Sequence, residues 1–132
     1  DYHSLTSQSH SSDYLDTVAS IGRRLLSLGI KTVIITGILY KAPTDTETRY
    51  YNLVLKENAV TPVSSAIHGG SYSGTGDLLA SVVCAGMVRG DSALESVRRG
   101  VHFLETALKE TAEEQIPKND GINFEPYLKL LL

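Results

Sequence analysis

Tryptophan is absent from this chain and cysteine occurs once, at Cys84. A lone cysteine rules out an internal disulfide and any cysteine-rich metal site, and it fits a reducing compartment. No apolar run approaches the roughly 18 residues of a membrane span, and no basic-then-apolar leader opens the chain. No membrane partner and a cytoplasmic location are therefore expected. Basic residues are also in the minority: 12 Lys and Arg against 15 Asp and Glu give a formal charge of −3, which offers no basic surface to nucleic acid. His3, His10, His68 and His102 lack metal-ligand spacing, so no metal site is expected from them. What remains is 132 residues, 42% hydrophobic and 20% charged, enough for one globular domain with a real core.

Residues 1–12 are polar and without a sustained period, which reads as loop. From Asp13 the positions Leu15, Val18, Ile21, Leu25 and Leu28 recur at threes and fours, the stripe of an amphipathic helix closed by Gly29 and capped by Ser12 or Asp13. Thr32-Val33-Ile34-Ile35-Thr36 is a short β-branched run bounded by Gly37. It has the pattern of a strand covered on both faces in a largely parallel sheet. The stretch from Gly37 to Thr48 reads as an exposed loop at that strand's carboxyl end, where open α/β sheets bind ligands. Tyr51, Leu53 and Leu55 alternate with Asn52, Val54 and Lys56, predicting a strand with one better-buried face. Glu57-Asn58 is a two-residue turn into a returning strand over Ala59 to Ile67, and Pro62 places that strand at an edge.

The returning strand leads into His68-Gly69-Gly70-Ser71-Tyr72-Ser73-Gly74-Thr75-Gly76-Asp77. Glycines allow positive φ and close approach to a ligand, and the helix that follows offers free N–H groups and the positive end of its dipole. The combination is an anion site, with phosphate its commonest occupant. Asp77 then either caps the helix or accepts a proton beside a bound phosphoryl group. No Gly-Lys-Ser/Thr ending and no Gly-x-Gly-x-x-Gly spacing point to other phosphate motifs. Leu78 to Val88 is apolar nearly all round and predicts a buried helix ended by Gly90, with Cys84 as filler within it. Ser92-Ala93-Leu94-Glu95 is a capping box opening a long helix. Its inner stripe is Leu94, Val97, Val101, Leu104 and Leu108, with Arg98, Arg99, Glu105 and Lys109 turned away. Ile116-Pro117 stops that helix, Asn119-Asp120-Gly121 turns, and Phe124 to Leu132 forms a short terminal helix with Pro126 in its first turn.

Ser73-Gly74-Thr75-Gly76-Asp77-Leu78 resembles the Gly-Thr-Gly-Asp signature of the pyridoxal, pyridoxine and pyridoxamine kinases of the ribokinase-like superfamily. Asp120-Gly121-Ile122-Asn123-Phe124-Glu125-Pro126 is similar to the tail of bacterial pyridoxamine kinases. The resemblance covers nearly all of the chain. It implies an α/β fold: the C-terminal portion of a ribokinase-like three-layer arrangement, with a buried strand, an antiparallel strand pair and flanking helices. The implied activity is ATP-dependent phosphorylation of a primary hydroxyl on a pyridine ring, with Mg2+ bridging the phosphates and room for a monovalent cation. By position, Asp77 is implied as the base and Gly74, Thr75 and Gly76 as the anion hole. Thr36, Ser73, His102 and Phe103 are implied on the nucleotide side. A carboxylate at a helix N-terminus makes Asp77 as much a positioning group as a proton acceptor.

The same resemblance implies that residues 1–132 are a single partial domain, the nucleotide-binding half of a kinase that is a homodimer at full length. The acceptor-binding residues and the magnesium carboxylates would lie in an N-terminal half. Two alternatives stand beside the vitamin B6 kinase: a hydroxymethylpyrimidine or hydroxymethylpyrimidine phosphate kinase, and a non-catalytic nucleotide-binding or interaction module.

Overall fold

The computed structural model describes residues 14–132. The helix caps expected at Ser12 and Asp13, the loop expected over residues 1–12, and His3 and His10 lie outside the described residues. The chain forms two compact units, divided between Ser64 and Ser65.

The first unit is built on a three-stranded sheet in the order β1-β2-β3, with β1 at Val33–Tyr40, β2 at Arg49–Lys56 and β3 at Ala59–Ser65. The β1–β2 pairing is antiparallel, from Val33 opposite Leu55 to Tyr40 opposite Arg49. Among the described residues β1 thus has an antiparallel neighbour, where its unbroken apolar run suggests a parallel sheet. β1 also does not stop at Gly37. Ile35 lies opposite Leu53 and Ile38 opposite Tyr51, so β1 carries one extra residue in that interval. Gly37 absorbs the irregularity at φ 70°, and its N–H donates to Asn52 Oδ1 at 3.2 Å. This is a β-bulge that re-aims the strand, and glycine is the residue that tolerates the positive φ. The loop expected from Gly37 is shortened accordingly. Asp45 fastens it, accepting from the Ala42 N–H at 3.0 Å and the Tyr51 hydroxyl at 2.6 Å.

Helix α1, Tyr14–Leu26, covers one sheet face. Val18 and Ala19 pack with Val33, Ile38, Tyr40, Tyr51, Leu53 and Leu55, and Tyr40 stands edge-on to Tyr51 at 5.5 Å between ring centres. The buried stripe is rotated from the expected one, since Ile21, Leu25 and Leu28 are exposed. Gly22 is the reason: a Cβ there would come within 2.6 Å of Leu55 Cδ2, so the helix approaches the sheet along its small residues. β2 is buried from Tyr51 to Leu55 on both faces, more than its alternation predicts. β3 takes the edge position, with Pro62 exposed.

The second unit pairs α2, Thr75–Arg89, with α3, Ala93–Glu113. The capping box forms as predicted, the Glu95 N–H donating to Ser92 Oγ and the Ser92 N–H to Glu95 Oε2, both at 3.1 Å. Small residues set the spacing of the helices. A Cβ on Gly86 would meet Ser96 Oγ at 2.4 Å, and one on Gly100 would meet Leu79 Cδ1 at 2.8 Å. α2 is not buried all round. Leu79, Val83 and Gly86 face inward, whereas Val88 is 83% exposed and Cys84 is exposed as well. A helix packed on one neighbour buries one stripe whatever its composition. The chain then forms a 3-10 turn at Lys118–Asp120 and a terminal 3-10 helix at Glu125–Leu131 with proline in its first turn.

Candidate functional site

The glycine loop lies within the second unit, and each of its turns is braced by named contacts. Gly69, Gly70 and Gly74 all sit at positive φ, at 69°, 94° and 84°. Gly69 is closed in, because a Cβ there would fall 2.7 Å from the Tyr72 hydroxyl and 2.8 Å from Ala112 Cβ. Tyr72 is buried under the loop, and its carbonyl accepts from Thr75 Oγ1 at 2.8 Å and from the Thr75 N–H at 3.4 Å. The Ser73 N–H donates to the Lys118 carbonyl at 3.1 Å, tying the loop to the 3-10 turn. The segment just after that turn is tied to α3 by the Asn123 N–H, which donates to Thr111 Oγ1 at 2.9 Å. Thr111 is fully buried in α3.

These bonds sort the donors around the loop. Both donors of Thr75 are engaged with Tyr72, and the amide of Ser73 is engaged with Lys118. The first backbone bond of α2 runs from the Leu78 N–H to the Gly74 carbonyl at 2.9 Å. The amides of Gly74, Gly76 and Asp77 have no acceptor among the described residues, as expected for the first turn of a helix. Three N–H groups therefore remain for an anion, and the helix dipole favours negative charge there.

Asp77 is the third residue of α2. The cap position belongs to Gly74, and no side-chain cap hydrogen bond is made. The Asp77 carboxylate is exposed and accepts no hydrogen bond among the described residues, while its carbonyl accepts from Ser81 Oγ at 2.8 Å. The capping role that the sequence leaves open is thus not the one its side chain plays. An uncommitted carboxylate beside uncommitted amides can accept a proton from a hydroxyl held against the anion.

The other expected residues are placed as follows. Ser73 is in the loop and exposed. His102 is exposed on α3, but its neighbour Phe103 is fully buried in the helix interior and has no surface to present to a nucleotide. Adjacent residues on a helix point about 100° apart, which separates the pair. Thr36 belongs to the first unit, where it is exposed at the bulge of β1. Glu105 corrects the reading of a solvated face: its Oε1 accepts from the Ala66 N–H at 3.2 Å and lies 3.6 Å from His68 Nε2. Lys118, unremarked in the sequence, reaches the loop from the 3-10 turn beyond α3. No group of three or more His, Cys, Asp or Glu among the described residues could hold a metal ion. No helix among them is long and apolar enough to cross a membrane.

The sequence model of the phosphomethylpyrimidine kinase family matches residues 2–122, which includes the whole loop and both helices that hold it. The chain belongs to the phosphomethylpyrimidine kinase family. No curated protein matches it. Among solved structures, a Bacteroides thetaiotaomicron protein provisionally assigned as a phosphomethylpyrimidine kinase, in a crystal form with pyridoxal, is 25% identical over 93% of this chain, at a TM-score of 0.72. A second crystal form of a protein so assigned, from the same organism, gives 0.73 and 24% identity over 88%. The pyridoxal kinase of Lactobacillus plantarum gives 0.63 and 24% identity over 76%. The chain spans 39%, 42% and 35% of the length of these three chains, taking the second crystal form, the form with pyridoxal and the Lactobacillus kinase in turn. The α/β class with an antiparallel strand pair and flanking helices holds, and the similar structures are ribokinase-like kinases.

Proposed function

We propose that this chain is the nucleotide-binding, catalytic-loop part of an ATP-dependent kinase acting on the primary hydroxyl of a vitamin B6 vitamer, pyridoxal, pyridoxine or pyridoxamine. The observation that carries the reading is the uncommitted Asp77 carboxylate one residue beyond the free Gly76 amide, in a family of kinases. In this reading the amides of Gly74, Gly76 and Asp77 hold oxygens of the transferring phosphoryl group. Thr75 keeps the turn in shape through Tyr72, and Asp77 orients the acceptor hydroxyl and takes its proton. A loose phosphoryl-transfer transition state asks for positioning and charge stabilisation above all, and fixed amides supply both. ATP fits the free donors. Magnesium would supply charge neutralisation at the phosphates, but the described residues offer no cluster to hold the ion, and none of them is assigned to it.

The chain spans about two-fifths of its Bacteroides relative, 42% at most, so acceptor binding is assigned to further chain. The isolated 132 residues should then bind ATP without turning over. Turnover with ATP and pyridoxal by this chain alone would overturn that division of labour. In the full-length protein, Asp77→Ala should lower phosphoryl transfer by about 10²–10⁴-fold, the usual worth of an acid–base group, with ATP affinity held within a few-fold. Near-normal turnover in that variant would remove Asp77 from the chemistry. A pyrimidine acceptor is the second reading, favoured by the description of the family. A panel of hydroxymethylpyrimidine, its phosphate and the three vitamers separates the two by kcat/KM.

A further inference from the structure

The side chain of Lys118 lies directly over the glycine loop. A Cβ on Gly70 would come within 2.9 Å of Lys118 Nζ and 3.6 Å of its Cε. Residue 70 is glycine, held at φ 94° where other residues are strained, and leaves that space to the ammonium. The backbone of Lys118 is bound to the same loop. Its carbonyl accepts from the Ser73 N–H at 3.1 Å, and Gly121, three residues on, is packed so closely that a Cβ would stand 3.3 Å from the Ser73 carbonyl. Despite this crowding the ammonium makes no hydrogen bond or ion pair among the described residues. Acidic groups are near in sequence at Glu113, Glu114 and Asp120, yet none engages it.

A cation anchored through its own backbone to a loop of free amides has a plain electrostatic use. Asp77 brings a negative charge to the mouth of a site proposed to hold an anion, and three neutral amides alone must offset it. Lys118 adds a full positive charge at the same loop. We infer that the Lys118 ammonium contacts the polyphosphate of the bound nucleotide and is required for its affinity. The inference rests on the nucleotide-binding reading above and adds to it a residue 41 positions beyond Asp77. A lysine is suited to the role because its compact, strongly hydrated charge acts as a point contact to phosphate without fixed geometry.

Calorimetry on the 132-residue chain tests it, with ATP, inorganic tripolyphosphate and adenosine as three separate probes. The wild-type chain should bind ATP and tripolyphosphate. Lys118→Gln should weaken both by about tenfold and leave adenosine binding unchanged, whereas Lys118→Arg should stay within about threefold. A circular-dichroism melt of each variant checks the fold, which an exposed side chain should leave intact. Unchanged tripolyphosphate affinity in Lys118→Gln overturns the role of Lys118 and leaves the site standing. If the wild-type chain binds neither ATP nor tripolyphosphate, the nucleotide-binding reading fails and this inference fails with it.

Discussion

Gly86→Ala is the sharpest test of how the loop is held in place. α2 begins at the loop and is pressed against α3, and Gly86 is one of the points of close approach between the two helices. A methyl group there would lie 2.4 Å from Ser96 Oγ and 3.0 Å from Ser96 Cβ, neither the end of a long flexible chain. Overpacking of this kind costs about 1–3 kcal/mol. Helix propensity acts the other way, since alanine is better than glycine inside a helix by about 1 kcal/mol. The balance is a loss of about 0–2 kcal/mol, or up to roughly 16 °C in the midpoint of a unit this size.

Ser96 supplies the control. Its hydroxyl is fully buried without a hydrogen-bond partner among the described residues, so Ser96→Ala should stabilise the chain by about 1 kcal/mol. Exchanging the small residue between helices, Gly86→Ala with Ser96→Gly, should recover stability to within about 1 kcal/mol of wild type. Recovery of that kind is a coupling between the two sites, outside simple additivity. Urea denaturation followed by circular dichroism reads these three variants and the single Ser96→Gly that completes the cycle. A Gly86→Ala chain more stable than wild type, as propensity alone would give, would refute the close approach. So would strict additivity in the exchange.

Two further outcomes follow from the geometry. Burial, and then the hydrogen bond to Asp45, push the Tyr51 hydroxyl up to about 12 from 10.0, so an ultraviolet titration should show a tyrosine ionising towards pH 12. A raised folded-state value means that its contribution to stability is intact below about pH 10 and is lost as pH rises towards about 12. Asp45→Asn should bring the ionisation down, and an unmoved titration would contradict the pairing. Glu105→Ala removes the acceptor of the Ala66 amide, so hydrogen exchange at Ala66 should speed up by about tenfold or more. Glu105→Gln, which keeps a carbonyl oxygen in reach, should preserve most of the protection. The Asp77 and Lys118 variants described above complete the set, and only they are read by catalysis or ligand affinity.

Much of this protein is legible from local chemistry alone. The capping box at Ser92 and Glu95, the edge strand with Pro62, the turn at Glu57-Asn58 and the passage from glycine loop to helix all depend on a few adjacent residues. Backbone preference and side-chain capping act over that same short range. The Gly-Thr-Gly-Asp run suggests a phosphoryl-transfer chemistry for the same reason, because an anion loop is made by consecutive amides.

Tertiary packing decided the rest. α1 buries Val18, Ala19 and Gly22, leaving Ile21 and Leu25 outside, because a helix lies closest where its side chains are smallest. Hydropathy counts large residues and overlooks that rule. Gly37 marks the end of a strand by composition, yet Asn52 accepts its N–H from the neighbouring strand and carries β1 on to Tyr40. Glu105 is 39 residues from the amide it holds, and Lys118 is 48 residues from the glycine it covers. No period or motif connects such positions. The sequence by itself determined the loop and the acid beside it, since neighbours in the chain build both. The charge that faces that loop, and the helix contact that steadies it, exist only where distant segments fold against one another.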